Sequence, residues 1–214
     1  MKFLVISDVH CRERVIGWAN ALANQHQVDG FLVLGDITHF GPPSWADDFL
    51  SRLEKPSYAV PGNCDPQGTI EEIEKHATCL HGRKMKVAGR TFGGWGGANT
   101  SIFNTPFEMP EDEILKGLRP LMERDMVLVT HCPPYSYNDF TNTRRHAGST
   151  AIRSLVDEFR PAAVISGHIH ENRGIVEEND ILYMNPGASK NGYFALLEVE
   201  NKIRGTLLEP VPDQ

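Results

Sequence analysis

The sequence predicts a layered α/β fold, and three observations carry that prediction. Short apolar runs rich in branched residues alternate with stretches whose apolar residues recur at helical spacing. The first runs are apolar throughout, as strands buried on both faces are. Glycine and proline mark the joints between segments. The 214 residues suffice for one domain with a sizeable core. No repeat, linker or low-complexity stretch divides them, so residues 1–214 read as a single domain.

Residues 2–7 are the first predicted strand, which ends in Asp8-Val9-His10. Val15, Trp18, Ala19, Leu22 and Ala23 then predict a helix over about 12–25. After the Asp29-Gly30 turn, residues 31–34 are the second strand, ending in Gly35-Asp36-Ile37-Thr38-His39. Gly41-Pro42-Pro43 breaks the chain. Ser44 is the expected N-cap of a helix with Trp45, Phe49 and Leu53 on one face. Residues 57–60 are a third strand, closed by Pro61-Gly62-Asn63-Cys64-Asp65. Thr69 and Glu72 have the spacing of a capping box, for a helix through about residue 75.

Residues 78–98 predict a β-hairpin feeding a glycine-rich loop at 93–97, and 106–110 a further loop. Ile114, Leu115 and Leu118 predict a helix stopped by Pro120. The strand at 126–129 ends in Thr130-His131 and leads into the long polar segment 132–148, a length that often carries function. Ile152, Leu155, Val156 and Phe159 form a helical stripe. The strand at 162–166 ends in Gly167-His168-Ile169-His170. Short strands are expected around Ile175 and Leu182, and at 194–199 and 203–208.

The formal net charge of −7 argues against a basic surface for nucleic acid or membranes, although bound dications would add positive charge at one place. Cys11, Cys64, Cys79 and Cys132 form no C-x-x-C pair, which favours a reducing compartment. The opening apolar run stops at Asp8, too short for a signal segment or a membrane span. A cytoplasmic location and no membrane partner are therefore expected.

Five predicted strands each finish with an oxygen or imidazole donor: Asp8 and His10, Asp36, Asn63, His131, and His168 with His170. In open α/β sheets, ligands gather beyond the carboxyl ends of the strands. Mixed Asp, Asn and His donors suit borderline dications such as Mn, Fe, Zn, Co or Ni. Seven donors exceed one tetrahedral zinc and suit two ions with a shared bridge. Residues i and i+2 of a strand face the same way, which would let Asp8 and His10 reach one ion together. His168 and His170 could do the same, or a turn could aim each at a different ion.

The motifs D-x-H, G-D-x-x-H, G-N-x-D, T-H-x-P-P and G-H-x-H, in this order, resemble the calcineurin-like metallophosphoesterases. Among these the chain is most similar to the small bacterial and archaeal phosphodiesterases, whose N-P-G-S segment is matched by Asn185-Pro186-Gly187-Ala188-Ser189. The resemblance spans nearly the whole chain. It implies a four-layer α-β-β-α sandwich, two mixed sheets flanked by helices. It places Asp8, His10, Asp36 and His170 on one divalent ion and Asp36, Asn63, His131 and His168 on a second. Asp36 is then the bridge, and manganese the first choice of metal. The activity implied is phosphohydrolysis, in which a metal-bridging hydroxide attacks phosphorus in line.

One position departs from the commoner G-N-H-[DE] pattern. Cys64 stands where many members carry histidine, and a thiol with an ordinary pKa of about 8.5 is a poor substitute for imidazole. His39 and His146 are candidates to assist the leaving group beside Asp36 and Asn63. Asn63, Arg145 and His146 are candidates to contact substrate. Phosphodiesters are expected to be handled better than monoesters.

Plainer readings stand beside these. Arg144 and Arg145 also fit a solvated charge run, and Gly93 to Gly97 also fit a tight hairpin crossing. Cys64 and Cys132 are expected to pack near the metals. His26, His76 and His81 carry no motif and are expected at the surface. Two rival functions remain at this level: a non-catalytic scaffold, as a retromer subunit of similar fold is, and a nuclease or cyclic-nucleotide phosphodiesterase. A small phosphorylated substrate is the expected partner, with nucleic acid disfavoured by the acidic balance. The oligomeric state stays open, a homodimer being one option.

Overall fold

The computed structural model describes residues 1–87 and 89–212. In chain order the elements are β1 (Lys2–Ile6), α1 (Arg14–Gln25), β2 (Gly30–Val33), α2 (Ser44–Ser51), β3 (Ser57–Ala59), α3 (Thr69–His76) and β4 (Thr78–Cys79). Then come β5 (Arg83–Val87), β6 (Arg90–Trp95), β7 (Ala98–Asn99), β8 (Glu108–Met109), α4 (Glu111–Leu118), β9 (Val127–Thr130) and α5 (Thr150–Phe159). The chain closes with β10 (Ala163–Ile165), β11 (Gly174–Glu178), β12 (Ile181–Asn185), β13 (Ala195–Val199) and β14 (Ile203–Leu207).

Two six-stranded sheets form the centre, in the orders β14-β13-β1-β2-β3-β4 and β11-β12-β10-β9-β6-β5. Strands β1, β2 and β3 run parallel, as do β6, β9, β10 and β12, while β13 and β11 are antiparallel to their neighbours. Both sheets are thus mixed.

The pleat divides each apolar run between two cores. Phe3 and Val5 of β1 pack between the sheets with Leu32, Val127, Val129 and Ile165. Leu4 and Ile6 point the other way, against Val15, Ala19, Phe49 and Ile73 of the first helical layer. Leu128 and Val164 likewise leave the inter-sheet core to meet Ile114, Leu118, Ile152 and Leu155. Burial on both faces is why these strands read as unbroken apolar runs. The arrangement is the expected α-β-β-α sandwich. It sets the carboxyl ends of β1, β2, β3, β9 and β10 along one edge.

Several local expectations fail, each for a physical reason. The capping box does not form. Gly68 already has helical angles and Thr69 N donates to the Pro66 carbonyl, so Thr69 enters the helix and its hydroxyl is buried with no partner among the described residues. Ser44 likewise lies inside α2, because Pro43 already has helical angles. The glycines at 93 and 94 belong to β6 rather than to a loop. A Cβ there would press on Met126 and on Leu80, so the missing side chains let other groups pack onto the strand. Residues 108–109, expected as loop, pair with β7. The helix expected to stop at Pro120 does so: α4 ends at Leu118, and Pro120 sits in the 3₁₀ turn Arg119–Leu121 that follows. The hairpin expected within 78–98 is present as β5 and β6, and Ala88 between them lies outside the described residues. No helix among the described residues is long and apolar enough to cross a membrane.

Candidate metal centre

The loops after β1 and β2 are zipped together backbone to backbone. Asp8 N donates to Gly35 O (3.0 Å), His10 N to Asp36 O (2.8 Å) and Cys11 N to Ile37 O (3.1 Å). Asp8, His10, Asp36 and His168 all have left-handed backbone, with φ of 55°, 46°, 48° and 68°. Asp and His visit this region more readily than branched residues do. Asp8 and His10 are therefore not aligned by strand alternation: β1 stops at Ile6, and a left-handed loop delivers both. Two motif glycines are steric necessities. A Cβ on Gly62 would collide with the backbone and carboxylate of Asp36, and one on Gly167 with the Ser7 hydroxyl and the Asp8 carboxylate.

Three further devices hold the loops. Buried Asp65 accepts from Ile37 N (3.1 Å), Thr38 N (2.7 Å) and Gly62 N (2.8 Å), tying the β2 loop to the β3 loop. Ser7 N donates to Ser189 Oγ (3.1 Å) and Ser189 N to Ser7 O (2.7 Å). Asn185 Nδ2 donates to the Ile169 carbonyl (2.8 Å). The 185–189 segment thus braces the Asp8 loop and the His168–His170 loop from behind.

The donor atoms converge on adjoining groups. The ligand atoms of Asp8, His10 and His170 lie within 4.8 Å of one another, and so do those of Asp8, Asp36 and His131. His170 Nε2 is 3.0 Å from Asp8 Oδ1 and 3.5 Å from His10 Nε2. His131 Nε2 is 2.8 Å from Asn63 Oδ1, and the His168 ring stands 5.0 Å from the His131 ring. Asp36 reaches both sides: Oδ2 is 3.6 Å from His10 Nε2, and Oδ1 is 3.5 Å from His131 Nε2. Oδ1 also accepts from Cys64 N at 2.7 Å. His168 and His170 lie on different sides of the cluster, as a turn would place them.

The hydrogen bonding suits cations. His131 Nδ1 donates to the Leu34 carbonyl (2.7 Å), which turns Nε2 to the site, where it offers a lone pair whenever the ring is neutral. Asn63 Nδ2 donates to Thr105 Oγ1 (2.9 Å), so Oδ1 is the atom turned to that lone pair. Thr105 Oγ1 in turn donates to Glu108 Oε1 (2.6 Å). His131 Nε2 and Asn63 Oδ1 meet at 2.8 Å, close enough for one cation to take both. Asp8 Oδ1 is buried without a well-formed hydrogen bond.

Electrostatics agree. Burial, aided by Lys190, His170 and His39, pushes His10 down to about 3. Burial and His131 push His168 to about 3 as well, so both imidazoles stay neutral donors. Burial alone would raise Asp8, but His170 and His131 outweigh it and hold the carboxyl below the usual range. Burial, with the charges of Asp8 and Asp65, raises Asp36 to about 6. Burial and Asp36 push the Cys64 thiol up, so sulfur there is neutral.

A cleft of about 710 Å³ opens beside the donors, lined by Asn63, Phe103, Glu108, Arg145, His146 and His168 among others. Arg145 and His146 thus face the site, whereas Arg144 is exposed and outside the cleft lining. His39 lines no part of this cleft. Its Nδ1 is 3.1 Å from His10 Nδ1, and the ligand atoms of His10, His39 and Cys64 lie within 4.8 Å of one another. His81 is half-buried rather than a free surface residue. It packs against Trp95 and Phe107, accepts from Gly96 N (2.9 Å), and burial lowers it to about 4. Cys132 packs as expected: its thiol is buried, raised to about 12 by that burial, and donates to Asn99 Oδ1 (3.0 Å).

Sequence reasoning missed Thr105, Glu108 and Asp139 and gave Asp65 no role. The spacing Thr105-x-x-Glu108 was a usable signal for the first two, since it is the pattern of a side chain reaching back to a backbone donor. Asp139 carries no local signal.

The chain matches the model of the calcineurin-like phosphoesterases over residues 1–172. It is 33% identical over 184 residues to the uncharacterized protein MJ1162 of Methanocaldococcus jannaschii, covering 82% of this chain and 84% of that one. The crystal structure of TT1561 of Thermus thermophilus superposes with a TM-score of 0.71 at 18% identity, over 96% and 98% of the two chains. A structure described as a novel archaeal phosphodiesterase superposes with a TM-score of 0.57 at 19% identity, over 97% and 100%. The family match spans most of the chain and falls on strand ends that bring its donors together, so this protein belongs to the calcineurin-like phosphoesterases and is a metal-dependent phosphoesterase.

Proposed function

We propose that the protein is a dinuclear phosphohydrolase that favours phosphodiesters over monoesters. The observation that carries this reading is the position of Asp36, whose two oxygens face His10 on one side and His131 on the other. Asp8, His10, Asp36 and His170 would hold one ion, and Asp36, Asn63, His131 and His168 the other. Manganese is the metal of choice for such a donor set, with Fe, Zn, Ni and Co as alternatives. When bound, the ions activate water as a nucleophile at neutral pH and stabilise charge on the phosphoryl oxygens.

The chain's own residues supply orientation. The Leu34 carbonyl fixes the His131 tautomer, and the Thr105–Glu108 pair fixes the Asn63 amide. His39, held against His10 Nδ1, orients that ring from behind. Arg145 and His146, on the cleft, are placed to meet substrate.

The preference for diesters rests on room and charge. The cleft has space for a second ester group next to Asn63 and His168. It also carries Glu108 and Glu171 against Arg145. Burial opposes ionisation of Glu108, but hydrogen bonds from Thr105 and Ser101 outweigh it and hold its pKa low. Carboxylates at the rim penalise a dianionic monoester more than a monoanionic diester. A small phosphorylated substrate fits these dimensions, and the net charge of −7 disfavours nucleic acid.

The test is hydrolysis of bis-p-nitrophenyl phosphate and p-nitrophenyl phosphate by Mn-loaded protein. The diester should be turned over faster, and chelation should abolish both reactions. Faster turnover of the monoester overturns the preference. No turnover of either, with two ions bound, overturns the activity.

A further inference from the structure

Cys64 leaves the phosphoester chemistry without the imidazole that commonly assists the departing oxygen. The 132–149 loop supplies another. Asp139, 1% exposed, lies at its centre and accepts from Ser136 N (3.0 Å) and Gly148 N (3.1 Å) through Oδ2. Its other oxygen, Oδ1, accepts from His146 Nδ1 at 2.7 Å. The ring stands between Tyr135 and Phe140, with centroids at 5.0 Å and 5.1 Å. Nδ1 is thereby committed to Asp139, and no protein group among the described residues takes Nε2. The side chain lines the same cleft as Asn63 and His168.

We propose that Asp139 and His146 are the acid dyad that protonates the leaving group, a role resting on the phosphohydrolase reading above. A carboxylate on Nδ1 stabilises the imidazolium and fixes which nitrogen faces substrate. As the bond between phosphorus and the ester oxygen breaks, its electron pair moves to that oxygen. The proton on His146 Nε2 passes to the same oxygen, which leaves as an alcohol and leaves a neutral imidazole. Solvent then reprotonates the ring, which is 37% exposed and needs no relay. The aromatic walls hold the ring plane without competing for the proton. Besides Asp139, the charged or titratable groups that face His146 or share its cleft, among the described residues, are Tyr135 and Arg145 on the same loop, Glu108 of β8, Glu171 and His168.

The assignment predicts dependence on leaving group. His146→Ala in Mn-loaded protein should slow diphenyl phosphate, whose phenolate departs reluctantly, by roughly 10²-fold or more. Bis-p-nitrophenyl phosphate, whose leaving group needs no proton, should slow by at least about tenfold less, the remainder being the lost substrate contact. His146→Gln keeps an N–H but cannot carry the proton, and should remove the falling alkaline limb of the diphenyl phosphate profile. Asp139→Asn should move that limb to lower pH, because the imidazolium loses its counter-charge. Imidazole ¹⁵N shifts of metal-free protein give a readout independent of turnover. Neutral His146 should carry its proton on Nδ1, and Asp139→Asn should transfer it to Nε2.

Equal slowing of both esters by His146→Ala, no slowing of either, or an alkaline limb unmoved in His146→Gln overturns the dyad and leaves the phosphohydrolase intact. If unaltered Mn-loaded protein cleaves neither ester, the phosphohydrolase reading falls and the dyad falls with it.

Discussion

The loop that carries Asp36 and the loop that carries His146 serve one site but are held by opposite means. The first is short, left-handed at Asp36, zipped by backbone hydrogen bonds to the Asp8–Cys11 segment and pressed against Gly62. Its geometry belongs to the main chain. The second runs from 132 to 149 and is gathered around one buried carboxylate, Asp139, which takes two backbone N–H groups and one imidazole. Its geometry belongs to a side chain. Donors that must stay fixed within a few tenths of an ångström sit on the first kind of loop. The groups proposed to meet substrate and exchange protons with solvent sit on the second. If the proposed roles hold, the difference separates what holds metal from what selects and releases substrate, and substitutions on each side should fail differently.

The largest effect is expected at the bridge. Asp36→Asn should reduce diester hydrolysis by roughly 10³-fold and lower occupancy of both ions together. His10→Ala should empty mainly the ion shared with Asp8 and His170. Metal analysis of the two purified variants checks this, and loss of the same single ion in both would break the bridge assignment.

A backbone-held loop should be intolerant of added bulk where the loops touch. Gly62→Ala should cost about 1–3 kcal/mol in urea denaturation, because the new methyl meets Asp36. Gly17→Ala, in α1 with nothing within 4 Å of the added carbon, should instead stabilise by about 0.5–1 kcal/mol. If both substitutions behave alike, close approach at Gly62 is not what holds the loop.

Stripping the metals should expose the buried imidazoles. His10 and His168 have folded pKa values of about 3, below the 6.5 of an unfolded histidine, so the unfolded chain binds more protons between those values. Chelated protein should therefore lose stability as pH falls from about 6.5 toward about 3. Asp36, raised to about 6 by burial, Asp65, raised likewise, and His170, raised by Asp8 against its burial, oppose this, while His81, lowered to about 4, adds to it. Urea midpoints at pH 7 and pH 4.5 test the sign. His10→Asn with His168→Asn should flatten the dependence, and an unchanged slope would contradict it.

The smallest effect is expected behind the donors. Thr105→Val removes the oxygen acceptor of the Asn63 amide and leaves it only Cys64 Sγ at 3.7 Å, and should weaken the second ion about tenfold by Mn titration. His39→Ala should act on the first ion by a similar or smaller factor.

How much of this was legible in the sequence follows the same division. The sandwich and the donors could be read because strands buried on both faces are unbroken apolar runs, and each stops abruptly at Asp8, Asp36, His131 or His168. The means of presentation could not. Alternation along a strand suggested that Asp8 and His10 share a face, whereas left-handed residues at 8, 10 and 11 present them. Thr69 and Ser44 had the right spacing for caps, but helical turns at Gly68 and Pro43 pre-empted them. Asp139 was invisible because its partners lie three, seven and nine residues away in an aperiodic loop. His81 looked solvated because only the folded chain brings Trp95 and Phe107 onto it.

Anomalous diffraction from crystals soaked in manganese tests the central claim most directly. The account predicts two peaks about 3.5–4 Å apart, each on a different oxygen of Asp36, one also on His10 and His170 and the other on Asn63 and His131. A single peak, or two peaks with Asp36 ligating only one, would contradict it.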